Sequence, residues 1–138
     1  MDKPIMRDIA LFVFRTVLGI IFVAHGFQKL FLVGITETTG QFSAMRIPQP
    51  KLSAYLAAFS ELLGGALLVV GLLTTFIAGA LALLMLAAFY FVHLNSGFFI
   101  HNGGFEYVML IIFSLLMIVV FGSGRASVDW ILTRNDQL

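Results

Sequence analysis

The 138-residue chain contains no cysteine, which excludes disulfides, thiolate chemistry, cysteine-ligated zinc and iron–sulfur clusters. Charge is scarce as well. Charged side chains make up 11% of residues, roughly half the share usual in soluble proteins, against 60% hydrophobic. The net charge is +1, with no basic patch and no glycine-rich phosphate loop, so nothing points to nucleic acid or nucleotides. No metal-ligand spacing and no haem-attachment motif occurs, and no internal repeat is evident. At this length the chain is one domain, read as a single membrane domain over residues 1–138.

Long apolar runs fill the space that charge leaves. The first, residues 9–31, holds 23 residues and no proline. At ~1.5 Å rise per residue it crosses a hydrocarbon core of ~30 Å. It is too long for a signal-peptide core and lacks a small-x-small cleavage pattern, so it reads as a retained span. Further spans are expected at about 54–73, 76–94 and 106–122. The polar stretches between them are 32–53 and 95–105. Residues 39–45 suit a short helical turn, Thr74-Thr75 a tight turn, and residues 126–134 an interfacial tail helix capped by Ser127. The fold class is therefore all-α, a transmembrane four-helix bundle in the cell membrane. Four spans place both termini on one side. The arginines and lysines at 3, 7, 125 and 134, against 46 and 51, favour the cytoplasm for both.

A charge at mid-bilayer costs at least ~2.5–3.5 kcal/mol, so ionisable residues inside spans face a bundle interior or a wet cavity. Arg15, His25 and Lys29 lie in the first span, on a stripe with Leu18 and Phe22. Gly19 and Gly26 sit beside it, where a second helix can approach closely. Glu61 is the one acid of the second span. His25 and Glu61 each lie about seven residues, or roughly 10 Å, below the outer boundary. Lys29 is one turn above His25, while His93, Asn102 and Glu106 belong to the outer ends of the third and fourth spans. These six define an expected outer-half ligand pocket. The simpler alternatives are that Glu61 and Lys29 neutralise each other and that Glu106 complements a helix N-terminus. At the inner end, Arg15, Arg125 and Asp129 are expected to be structural, with Asp129 answering Arg125 four residues away or else Arg15.

The pattern Arg15…Gly19…His25-Gly26…Lys29-Leu30 resembles the first helix of the DoxX family of small four-helix membrane proteins. The likeness continues through Gly40, Ile47-Pro48, Glu61, Gly64-Gly65 and Gly71-Leu72, then residues 102–107 (NGGFEY). It ends at Gly122-Ser123-Gly124-Arg125 and Ser127-Val128-Asp129, with Ser123 where the family often has proline. It spans nearly the whole chain, from about Ile9 to Leu132. The resemblance implies a role in a membrane redox system near the quinone pool. Quinone is then the expected ligand of the outer pocket, redox enzymes the expected protein partners, and self-association of the chain is allowed. Two readings compete with this: a lipid- or small-molecule-binding, transporter-like protein without electron transfer, and a scaffold for soluble redox enzymes. Whether the chain itself catalyses a reaction stays open.

Overall fold

A computed structural model describes residues 4–102 and 104–136. Helix α1 runs Pro4–Phe27 and continues into a π-helical turn, Gln28–Leu32. Helix α2 is Ile35–Ala44, α3 is Pro50–Val70 and α4 is Thr74–Ala88. A second π turn, Phe89–His93, and a 3-10 turn, Leu94–Ser96, extend α4. After a further 3-10 turn, Ile100–Asn102, come α5, Glu106–Phe121, and α6, Val128–Asp136. The described residues contain helices and turns and no strand.

Three helical stretches are long and apolar enough to cross a membrane: Pro4–Leu32, Pro50–Val70 and Thr74–Ser96. The fourth, Glu106–Phe121, is equally apolar but has 16 residues. The boundaries differ from the sequence reading where local chemistry intervenes. Residues 4–8, ahead of the span expected from residue 9, are helical too, with Pro4 in the first helical position that its fixed φ suits. The second helix stops at Val70 because Gly71 takes a left-handed φ of +75° and ends it. The turn therefore lies at Gly71–Leu73, and Thr74 already belongs to α4.

Helix α1 packs chiefly on α3, α4 chiefly on α5, and the two pairs meet mainly along α3 and α4. The α1–α3 seam is built from small residues. A Cβ added at Gly26 would lie 2.6 Å from Leu62 N, and one at Gly65 would lie 2.6 Å from Gly19 O. These backbones touch, as glycine allows and any larger residue forbids. The α4–α5 side is a conventional interlocked core: Leu68, Leu81, Met85, Ile111 and Leu115 bury against Leu18 and Phe22 of α1. Outward faces carry Leu83, Leu110, Phe113 and Val120, each exposed, as the lipid-facing surface of a small bundle requires. The chain is a membrane protein.

The end of the bundle where α1 begins and α5 stops is closed by the segment after α5. Arg15, 1% exposed, donates from Nε to Leu68 O at 2.7 Å and from Nη2 to Ala126 O at 2.7 Å. It also donates to the carbonyls of Val69 and Ser123. Leu68 and Val69 are in the last turn of α3, whose carbonyls have no partner within their own helix. A cation there also opposes the negative end of the helix dipole. Arg15 thus ties α1, α3 and the tail together through backbone oxygens.

Beyond answering the charge of Arg15, Asp129 has a task that was not expected of it. Its Oδ1 and Oδ2 accept the amides of Leu73 and Thr74, both at 2.8 Å, and its own amide donates to Gly71 O at 2.9 Å. It is an N-cap for α4 supplied from another helix. Leu73 occupies the cap position in a left-handed conformation, φ +53°, with no capping side chain of its own. Arg125 does not meet Asp129. Helix α6 starts only at Val128, so the four-residue helical spacing never forms, and Arg125 Nε pairs with Asp8 Oδ2 at 3.4 Å. Ser127 caps α6 as its position suggests, accepting the amide of Trp130 at 3.1 Å.

A pH prediction follows from this clamp. Burial pushes the Asp129 pKa up, but the Thr74 and Leu73 amides and the Arg15 charge outweigh it and hold it below the usual carboxylate range. A depressed pKa stabilises the fold above the unfolded value of ~3.9, and that contribution is lost as pH falls through the folded one. Trp130, the single tryptophan, reports on the tail. Its fluorescence is expected to stay native down to about pH 4 and to change below it. Asp129→Asn should show the released signal already at neutral pH, with no acid step. An acid step unchanged in Asp129→Asn would assign it to another group.

Candidate functional site

The half of the bundle nearest the α1–α2 connection holds a polar cluster that starts from one buried acid. Glu61, 5% exposed, sits between Ala58 and Gly65 on the face of α3 that meets α1. Lys29 Nζ reaches Glu61 Oε2 at 2.7 Å, a hydrogen-bonded ion pair with the lysine still partly open. Lys29 lies in the π turn of α1, closed by the bond from Val33 N to Gln28 O at 2.8 Å. Such one-turn widenings re-aim side chains and recur at functional sites. Thr38 of α2, 2% exposed, donates to Lys29 O at 3.3 Å and to Gly34 O at 2.8 Å, seating α2 over the turn.

His25 is level with this pair, since Gly26 touches α3 at Ala58 and Leu62. The residue is exposed rather than turned into the bundle, and its ring lies beside α5, with the Tyr107 ring centroid 6.2 Å away and tilted 46°. The Glu61 carboxylate is close enough to act electrostatically on both His25 and Tyr107. A carboxylate, an ammonium, an imidazole and a phenol are thus gathered on three helices, with Glu61 buried, Lys29 and Tyr107 half-buried and His25 exposed. Tyr107 was absent from the residues expected here. The signal for it was its depth, one residue into the fourth span and opposite His25.

The other expected members sit differently. Glu106 faces its own loop, with Oε1 accepting the amide of Ile100 at 2.8 Å, so it fixes the turn before α5. His93 ends the π turn of α4 and is half-buried. The side chain of Asn102 lies outside the described residues. Two grooves are prominent, and neither is lined by His25, Lys29, Glu61, His93 or Glu106. One, about 340 Å³, lies between α3 and α4 from Tyr55 to Leu84. The other, about 370 Å³, lies where α1 begins, beside Asp8 and Arg125. The polar cluster is compact and closed by its own ion pair.

Fold and cluster together define a small helical membrane protein with a buried acid, paired to a lysine, in the half nearest the α1–α2 connection. The chain belongs to the DoxX family, whose match covers residues 10–94. It is 33% identical over 104 residues to a Bacillus subtilis (strain 168) protein named "Putative oxidoreductase CatD", covering 75% of this chain and 74% of that one. It is also 31% identical over 80 residues to an uncharacterized protein of Haemophilus influenzae. That match covers 58% of this chain and 53% of the relative, so the chain spans about half of it. No solved structure matches.

Proposed function

We propose that the chain is the membrane subunit of a redox system and that Glu61, Lys29, His25 and Tyr107 bind a quinone-like carbonyl ligand. The observation carrying this reading is the Lys29–Glu61 pair, held at 2.7 Å inside an apolar bundle beside an imidazole and a phenol. A buried ion pair is a poor device for stability, because desolvation offsets most of its attraction. Quinone reduction takes two electrons and two protons. The protons need groups such as Glu61 and His25 at the ligand oxygens. The electrons would come from a partner redox enzyme, since no cysteine-bound centre can form on this chain. The relative named as an oxidoreductase supports the redox half of the reading.

Protein purified in mild detergent is expected to carry quinone in its extracted lipid, and Glu61→Gln and His25→Ala to carry tenfold less at normal expression. The amide of Glu61→Gln still accepts from Lys29, so folding is spared. Wild-type protein free of quinone but loaded with another small molecule would replace the redox reading with a transport or binding one.

The same proposal puts both termini in the cytoplasm, making the cluster accessible from the outer side. Cysteines placed singly at the exposed positions Glu37 and Ser96 should react with an impermeant reagent in intact cells, and one at Thr133 should not. The opposite labelling pattern would invert the orientation.

A further inference from the structure

At the inner end, far along α1 from the polar cluster, the groove of about 370 Å³ has walls of two kinds. Ile5, Ile9 and Phe12 form an apolar floor on one face of α1, all outward-facing and 71%, 57% and 42% exposed. At its rim stand one cation and one anion, Arg125 and Asp8, 3.4 Å apart. The Arg125 side chain is 60% exposed and its guanidinium lies 5.4 Å over the Trp130 ring. That stacking fixes one face and leaves donor edges open. The Asp8 side chain is 20% exposed.

We propose that this groove is a phospholipid site selective for a phosphoethanolamine headgroup. The argument is complementarity of charge and of depth. The floor begins at the first apolar residues of α1, with Trp130 alongside, at the level where aromatic and basic residues meet lipid headgroups. A headgroup there places its phosphate on Arg125, which binds it through parallel N–H donors. The headgroup amine, one short linker away, carries N–H donors that match Asp8. Its acyl chain continues along Ile9 and Phe12. A glycerol headgroup offers Asp8 no cation, and a trimethylated amine offers it no N–H donor. The lipid would add a further tie between α1 and the segment before α6, beside the Arg125 amide and side-chain contacts to Asp8 and the Arg15 bonds to Ser123 O and Ala126 O.

The test is native mass spectrometry of delipidated full-length protein titrated with phosphatidylethanolamine, phosphatidylglycerol and phosphatidylcholine of identical chains. Wild type is expected to bind one phosphatidylethanolamine about fivefold more tightly than either other lipid. Asp8→Asn keeps an oxygen for the Arg125 amide and should reduce that preference to within about twofold. Ile9→Trp should block the groove and remove the tight site for all three lipids, with an unchanged thermal unfolding midpoint in detergent showing the fold in place. Equal or tighter binding of phosphatidylglycerol by wild type overturns the proposal. So does Asp8→Asn with its preference intact. If Asp8→Asn fails to fold, wild-type selectivity and Ile9→Trp still decide.

Discussion

Replacing Arg15 with methionine is expected to remove most folded protein from membrane extracts. The side chain donates to four backbone oxygens, those of Leu68, Val69, Ser123 and Ala126. A buried acceptor left without its donor costs ~1–3 kcal/mol, and the total stability of a domain is only ~5–15 kcal/mol. Methionine fills similar volume but satisfies none of these carbonyls. Lysine should rescue only in part, because one ammonium cannot span oxygens on both α3 and the tail as a guanidinium fork does. The measurement is the fraction of monodisperse protein after detergent extraction, wild type against Arg15→Met and Arg15→Lys. Normal folding of Arg15→Met with lost ligand binding would move Arg15 from the scaffold to the site.

The second large effect is expected at the α1–α3 seam. In Gly26→Val the new Cβ would stand 2.6 Å from Leu62 N and 2.8 Å from Ala58 O, and backbone cannot step aside as a side chain can. The helices must separate. Overpacking of this kind costs at least ~1–3 kcal/mol. It would also pull Lys29 and His25 away from Glu61. Gly65→Val should act alike, with its Cβ 2.6 Å from Gly19 O. Gly79→Ala is the control, since nothing lies within 4 Å of its Cβ. Thermal unfolding in detergent should rank wild type and Gly79→Ala together and the two valine variants far below. Equal stability across the set would mean that α1 and α3 are not in backbone contact.

These residues also show what a sequence alone discloses. Arg15, Glu61, Gly19 and Gly26 were readable because the membrane imposes one rule, that charged and small residues must face protein. Depth along two helices then put His25 and Glu61 at one level, with Lys29 one turn above. The role of Asp129 was not readable. Its partners are the backbone amides of Leu73 and Thr74, which look alike in every sequence, and the left-handed Leu73 carries no glycine signature. The Arg125–Asp8 contact joins residues far apart in the chain. The helical spacing to Asp129 suggested a nearer partner, and only the late start of α6 removes it. Neither π turn has a sequence marker, so the re-aiming of Lys29 toward Glu61 emerges only from the backbone.

The central claim is that Glu61 exchanges protons with a reducible ligand beside Lys29, His25 and Tyr107. The most direct measurement is the infrared difference spectrum between oxidised and reduced quinone bound to the purified protein. Wild type is expected to show a carboxylate band that converts between its ionised and protonated forms as the quinone is reduced. Glu61→Gln should lack that band while retaining the quinone's own signals at saturating ligand. Identical difference spectra for wild type and Glu61→Gln would contradict the account and leave the Lys29–Glu61 pair as a tie between helices.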